Sequence, residues 1–342
     1  MVQTEFSFKA QMWKRLKKNK GAMFGLAIII LAVFVTVFGY MVAPDNSPNA
    51  DLQTVEIQAK KPGYSQQFLK IPGNNISEGN WLHHFISGKK NNFQLIPIKG
   101  YQVRGDSLLI NKFIDDDTSV VQYYSITQLT NNNPAAIQNN IITKKYRLGT
   151  DKFGRDILSR LIIGTRVSLA VGLIAVLISL TLGIILGALA GYYRGWVDEV
   201  IMWLVNVTWS IPTLLLVFAI TMAMGKGFWQ IFIAVGLTMW VSVARLILRH
   251  ILPNILGPVM VIAASNFATA IIVEAGLSFL GIGIQPPQPS WGLMIKENYN
   301  FIITHNPLLA LIPGFAIMLL VLAFNLLGSG LRDVFDVKEE KN

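Results

Sequence analysis

Not one of the 342 residues is cysteine. That excludes a disulfide framework, thiol catalysis and any metal held by thiolates. Charge is also scarce: Asp, Glu, Lys and Arg make up 14% of the chain, where a soluble domain carries about 25%. The recurrent enzyme words are missing too. There is no P-loop, no His-Glu-x-x-His, no Gly-x-Ser-x-Gly and no pair of carboxylates on one helix. The chain is therefore read as a non-enzyme with no cofactor of its own. Any uphill transport must draw its energy from a partner or from an ion gradient.

What is abundant is apolar sequence: 52% of residues are hydrophobic and the mean hydropathy is +0.47. Several runs exceed the roughly 18–20 apolar residues that cross a hydrocarbon core, which makes this an integral membrane protein. The net charge of +10 could suggest nucleic acid. However, Lys14, Arg15, Lys17, Lys18 and Lys20 stand immediately before the first apolar run, where they read as a topology anchor under the positive-inside rule, so no nucleic-acid partner is expected. That run, 21–43, is longer than the roughly 7–15 residues of a signal-peptide core and lacks a cleavage site, so it reads as a retained anchor.

Residues 44–147 form a polar insert rich in Asn, Gln, Lys and Asp. "NFQLIPIKGYQVRGDSLLINKF" (92–113) alternates as strand, turn, strand, with Arg104 to Ser107 at the hairpin tip. Its Arg-Gly-Asp is read as a turn rather than an adhesion tripeptide. Adjacent histidines point in different directions on any regular element, so His83 and His84 are weak metal candidates. Asp115, Asp116 and Asp117, and the stretch from Asn131 to Pro134, read as loop.

Five further spans are expected near 167–190, 199–223, 229–248, 256–282 and 308–330, making six with the first. Arg194, Arg245, Arg249 and Arg332 then fall on the side of the N-terminal cluster, with Lys226 and Lys296 opposite. This asymmetry favours both termini in the cytoplasm and 44–147 outside. Gly172, Ser179, Gly183 and Gly187 stand at the spacing that lets helices approach closely in lipid. Pro212 and Pro313 lie within spans and should kink or break them. The expected fold is an all-α polytopic membrane protein with an inserted mixed α/β extracytoplasmic domain. Its divisions are a basic N-terminus (1–20), the first span (21–43), the insert (44–147), a transmembrane domain of about five helices (148–336) and a tail (337–342).

Polar residues deep in the spans are few: Asn206, Thr208, Ser210, Asn266, Glu274 and Asn325. Ionisable groups at membrane depth are functional candidates. Yet Glu274 sits only about five residues from the outer end of its span, where it could be solvated, paired across helices, or facing a solute pathway. After it, "GIGIQPPQPSWGL" reads as a stiff external turn with Trp291 as an interfacial aromatic. A single marginal acid argues against a carrier driven by an ion gradient.

Longer words are more specific. "YRLGTDKFGRDILSRLIIGTRVSLAVG" (146–172), "RHILPNILGP" (249–258), "EAGLSFLGIGIQPPQPSWG" (274–292) and "GSGLRD" (328–333) resemble the oligopeptide/dipeptide-type permease subunits of bacterial ABC importers, as does the opening "WKRLKKNKGAMFGL" (13–26). The resemblance covers the first span and nearly all of 146–336; the insert lies mostly outside it. It implies an inner-membrane subunit that pairs with a second, homologous permease. Two cytoplasmic ATPase subunits would drive the pair, and an extracytoplasmic solute-binding protein would deliver short peptides.

One departure stands out. In such permeases the cytoplasmic loop before "RHILPN" carries a coupling helix, with a Glu-Ala-Ala-like start, that docks in the ATPase. Here "WVSVARL" (240–246) resembles the start of that loop and "ILRHILPN" (247–254) its end, with the middle missing. As helix, 245–254 spans only about 15 Å, too short to leave the membrane, lay down a helix and return. The Glu-Ala-Gly at 274–276 lies at the other end of the next span and is no substitute. Arg245, Arg249, His250, Pro253 and Asn254 are either a remnant that touches the ATPase or ordinary anchors, with Pro253 opening the next helix. Three functions stay open: an importer permease with an atypically short coupling loop, a decayed permease acting as a membrane scaffold through its external domain, and a gradient-driven carrier.

Overall fold

The structure, a computed structural model, describes residues 2–73, 80–130, 134–225, 227–249, 256–304 and 306–335. Lys226, His250, Pro253, Asn254, Asn131 to Asn133 and the expected tail 337–342 lie outside the described residues. The chain divides into two units. One comprises 1–37, 165–296 and 313–342; the other comprises 38–164 and 297–312.

The first unit is helical. After the basic helix α1 (Val2–Lys18), α2 (Lys20–Val42) runs 23 residues, about 35 Å at 1.5 Å per residue, enough to cross a core of about 30 Å. Helices α5 (Ile157–Tyr193), α8 (Phe228–Arg249), α9 (Leu256–Leu280) and α12 (Leu308–Phe335) are likewise long and apolar enough to span.

The expected span at 199–223 is not one helix. It is split into α6 (Gly195–Ser210) and α7 (Thr213–Met224), bent by 99°. Pro212 has no N–H to give, and the residue before a proline avoids helical geometry; Ile211 is accordingly extended, at φ −105 and ψ 129. At 16 and 12 residues neither piece alone matches the bilayer, so the described residues hold five candidate spans, or six if the bent pair counts as one. Pro313, by contrast, stays inside a continuous α12. It removes only its own N–H from the ladder of a 28-residue helix.

α8 is the most buried of the long helices and lies at the centre of the bundle. Ile231, Phe232, Val235 and Met239 pack with Val171 and Ala175 of α5 and with Ala270, Val273 and Leu277 of α9. Of the small residues read from sequence, Gly183 and Gly187 line the α5–α8 seam, while Gly172 abuts the Phe267 ring and Ser179 meets Asn266, both of α9. A methyl group on Gly183 would stand 2.4 Å from Val243 Cβ, and one on Gly187 2.7 Å from the Ala244 carbonyl. Only glycine allows that approach. α9 and α12 meet through stacked Phe267 and Phe324 rings, 4.0 Å between centroids.

The second unit carries a five-stranded, wholly antiparallel sheet in the order β4-β3-β2-β1-β5. Its strands are β1 (Tyr64–Pro72), β2 (Phe93–Arg104), β3 (Ser107–Phe113), β4 (Ser119–Ser125) and β5 (Ile141–Tyr146). β2 and β3 make the expected hairpin: Arg104 pairs with Ser107 and Gly105 takes φ +58 at the tip. Apolar side chains cover both faces around β1, β3 and the first half of β2, while β4 and the second half of β2 are largely exposed. Leu69, Ile96, Ile98, Leu108 and Ile110 meet Ile126 and Leu129 of α4 (Ile126–Thr130) on one side. Phe68, Leu95, Phe113 and Tyr146 meet Ile57 on the other. A short helix α3 (Trp81–Ser87) lies between β1 and β2 in sequence, and α10 (Trp291–Asn298) and α11 (Phe301–Thr304) precede α12.

Candidate functional site

One end of the helical unit gathers the residues read as basic anchors. Asn19, just before α2, donates to Asp333 near the end of α12 at 2.9 Å. Leu16 and Ala22 pack on Val334, and Gly257 at the start of α9 abuts the Phe335 ring. Val243 and Ile247 of α8 pack with Ala188, Val259 and Ile262. The start of α2, the ends of α5, α8 and α12 and the start of α9 therefore share one end of the bundle.

Here Arg245 is half-buried, with its guanidinium 4.2 Å over the Trp209 ring of α6. Among the described residues its Nε finds no acceptor. It ties α6 to α8 rather than reaching outward. Arg249 closes α8, and α9 resumes at Leu256, leaving six residues between them.

The intramembrane polar residues separate into two kinds. Asn266 is buried and donates from Nδ2 to Ser179 Oγ at 3.0 Å and toward the Met239 carbonyl at 3.4 Å, joining α9 to α5 and α8. Glu274 is fully buried rather than solvated. It accepts from Ser278 Oγ at 2.7 Å and bonds to Ser290, while its Oε2 finds no partner among the described residues. Ser278 Oγ in turn accepts the Ile284 N–H at 3.0 Å. Glu274 thus pins the proline-rich turn to α9. Trp291 opens α10 and is 4% exposed, so it is a packed residue and not an exposed ring on an outer turn. Asn206 and Asn325, in contrast, are exposed on α6 and α12. Thr208 and Ser210 turn their hydroxyls back to the Leu204 and Asn206 carbonyls.

The strongest electrostatic feature lies in the second unit, and sequence reasoning did not single it out. The turn "GTDKFGRD" is sewn to residues 54–60. Gly149 and Gly154 take φ +85 and +73 where a side chain would strike the Lys60 and Thr54 carbonyls, and Thr150 exchanges hydrogen bonds with Lys60 and Ile57. This fixes Arg155, 1% exposed, which donates to Asp151 at 2.6 Å, Glu297 at 2.6 Å and Asp51 at 3.0 Å. Burial opposes its charge, but Asp151 and Glu297 outweigh that and push its pKa up. Arg160, wholly buried, stands 3.6–3.7 Å from the same three acids without a hydrogen bond. The available signal was two arginines five apart, one inside an apolar run, which demands acids from elsewhere in the chain.

His83 and His84 set their rings nearly perpendicular, 6.2 Å apart. Among the described residues no three His, Asp or Glu side chains come together as metal ligands.

Comparison with known proteins agrees with this architecture. Residues 7–59 match the N-terminal TM domain of oligopeptide transport permease C. Residues 183–249 and 241–340 match the binding-protein-dependent transport system inner membrane component. A glutathione transport system permease protein, GsiD, of Pectobacterium atrosepticum is 40% identical over 218 residues, 56% of this chain and 72% of the relative. The dipeptide transport system permease protein DppC of Alkalihalophilus pseudofirmus is 39% identical over 221 residues, 57% and 72%. GsiD of Escherichia coli is 40% identical over 228 residues, 58% and 75%. Such relatives are transport subunits that lack a catalytic site, and they work as components of larger systems. With a spanning bundle, two family matches and 40% identity across most of a relative, the chain belongs to the oligopeptide/dipeptide-type family of ABC transporter permeases, the binding-protein-dependent inner membrane components.

Proposed function

We propose that this chain is the membrane-spanning permease subunit of an ATP-driven importer that carries short peptides, or a similar small solute such as glutathione, across a bacterial cytoplasmic membrane. Its partners are a second homologous permease, two cytoplasmic ATPase subunits and an extracytoplasmic solute-binding protein. The observation that carries this reading is the helical bundle together with relatives named for dipeptide and glutathione transport.

The proposed orientation has both termini in the cytoplasm and 44–147 outside, with the divisions expected from sequence. In support, the N-terminal lysines, Arg194, Arg245 and Arg332 belong to the helix ends that meet at one end of the bundle, as the positive-inside rule requires. A bare amide facing lipid is costly, so the exposed Asn206 and Asn325 belong on the face toward the second permease and the solute path. Asn266 and Glu274, already bonded internally, brace the bundle.

The proposal includes an atypically short coupling loop. Six residues join α8 to α9, at most about 20 Å when fully extended. The alignments support a missing segment. The 218 aligned positions of the Pectobacterium relative occupy 56% of 342 residues, about 190, so roughly 25 positions fall opposite no residue of this chain. The family match also breaks into two pieces here, around 241–249. The ATPases then couple chiefly through the second permease. This same observation favours one rival: a coupling-deficient, decayed permease that serves as a scaffold through its external domain.

Co-reconstitution with the second permease and the ATPases decides between them. Native mass spectrometry reports assembly, and peptide-dependent ATP turnover reports coupling. A four-component complex whose turnover rises with peptide and binding protein supports the importer. A complex that forms without any rise leaves the scaffold, and failure to assemble with the ATPases likewise removes the importer and leaves the scaffold.

A further inference from the structure

α3, with sequence WLHHFIS, has a strongly two-sided surface. At 100° per residue, Trp81, Phe85, Leu82 and Ile86 fall within one arc of about 140°, while His83, Ser87 and His84 occupy the remainder. The apolar side is turned outward: Trp81 is 71%, Leu82 61% and Ile86 63% exposed. For a helix resting on a soluble domain this is inverted.

Its position explains the inversion. Phe85 sets its ring edge-on to Phe38, 6.0 Å between centroids, and Trp81 stacks on Phe85 at 5.7 Å. Gly88, at φ +81, lets the chain press against the Asn46 carbonyl and the Tyr40 ring, where a Cβ would come within 2.7–2.8 Å. The Lys89 N–H donates to the Asn46 carbonyl at 2.9 Å. α3 is therefore held beside the last turn of α2 and the residues just after it. Phe38 lies 18 residues along α2 from Lys20, about 27 Å up a span that crosses a core of about 30 Å. That is the depth at which hydrocarbon gives way to headgroups. On α2 itself Met41 and Val42 are exposed at the same level.

We propose that α3 is a membrane-interface foot: its Trp81–Leu82–Ile86 face beds into the headgroup region of the leaflet where α2 ends, and the exposed Lys89 and Lys90 just beyond it meet anionic lipid headgroups. The chemistry is that of interfacial helices, with a Trp and aliphatic side chains below and lysines at the rim. The occupant is lipid rather than protein because the apolar face continues from the lipid-exposed end of a spanning helix, and because seven residues of convex helix offer no groove. The foot fixes the level of α3 relative to the bilayer.

The absence of cysteine makes the test direct. Single cysteines replace Leu82, Ile86 or His83 (L82C, I86C, H83C) in the full chain. Each is nitroxide-labelled and reconstituted alone in liposomes of phosphatidylethanolamine and phosphatidylglycerol. Labels at 82 and 86 should collide with oxygen in preference to a water-soluble nickel chelate, exceeding the ratio at 83 by about threefold or more. Equal, chelate-dominated collisions at 82, 86 and 83 would overturn the proposal. So would labels at 82 and 86 that become shielded from both reagents only when the other subunits or a binding protein are added, which would assign the face to a protein partner. Two reporting sites on the apolar side guard against one substitution disturbing the helix.

Discussion

Replacing Arg155 with Met should open the second unit at markedly lower denaturant, for reasons that can be worked from the cluster around it. Three carboxylates, Asp51, Asp151 and Glu297, share two guanidinium groups. Arg155 makes all three short contacts, at 2.6–3.0 Å, and Arg160 only long ones at 3.6–3.7 Å. Removing Arg155 leaves Asp151 and Glu297, 2% and 6% exposed, without a hydrogen-bonded cation. Breaking a buried pair in this way costs about 3–5 kcal/mol. Arg160→Met should cost less, because no hydrogen bond is lost. Arg155→Lys should fall between, since an ammonium keeps the charge but cannot serve three acids in the planar fork. The assay is pulse proteolysis of the detergent-solubilised chain across a urea series, following cleavage within 50–164. With a slope of about 2 kcal/mol per molar urea, the expected shift of the midpoint is about 2 M. A shift below about 0.5 M, or a larger loss for Arg160→Met than for Arg155→Met, would refute the reasoning.

Other outcomes are expected from the same structure. Gly183→Leu must push a side chain into Val243 and the Trp240 carbonyl; it should abolish monodisperse protein on size-exclusion chromatography. Gly191→Leu, with nothing within 4 Å, should leave it intact. Glu274→Gln keeps an acceptor for Ser278, so peptide uptake by the assembled transporter should stay within about twofold of wild type; abolition, with uptake that survives ATP depletion but not an uncoupler, would instead indicate a gradient-driven carrier. Asp156 has its pKa raised by burial, against the opposing hydrogen bonds from Ser159. A raised acid holds its proton more tightly when folded, so stability is lost as pH climbs from the ordinary carboxylate value through the raised one. Asp156→Asn should remove that fall in pH-dependent urea midpoints, and an unchanged pH profile would count against it.

How much was legible in sequence depended on whether the signal was local. The spans declared themselves through unbroken apolar runs, and the β2–β3 hairpin through alternation around Arg104-Gly105-Asp106-Ser107, because both patterns are set by residues that are neighbours in the chain. Pro212 marks a disruption in the sequence but does not reveal that the chain turns by 99° there. A proline removes one N–H and constrains one preceding residue, while the size of the bend is set by what the two halves pack against. The charge cluster was illegible because its acids come from residues 51, 151 and 297, and no periodicity links positions so far apart. Glu274 lies near a span end in the sequence, which leaves its solvation open. Its burial depends on Ser290 and the turn folding back over it. The α3 face is not legible in the sequence, because exposure of apolar side chains is a fact of the surface, not of composition.

The short α8–α9 connection separates two properties that a permease ordinarily combines. α8 is held by contacts along its length: the glycine seam of α5, the Asn266 bond from α9 and the Trp209–Arg245 stack from α6. None of these involves residues beyond Ile247. A shorter connection past that point therefore leaves α8 seated, and the loss falls only on the part that would have projected beyond the bundle. A helix lying across the ATPase surface transmits motion by being pushed; six residues between two packed helices have little to push with. On the proposed reading, then, assembly and coupling respond to different changes in this chain. Grafting the roughly 25 residues of the Pectobacterium relative that fall opposite no residue of this chain after Arg249, where α8 ends, should raise peptide-stimulated ATP turnover of the reconstituted complex without altering its subunit composition. If turnover is unchanged while the graft is protected from protease only in the presence of the ATPases, the segment docks but carries no force, and coupling through the second permease alone is sufficient.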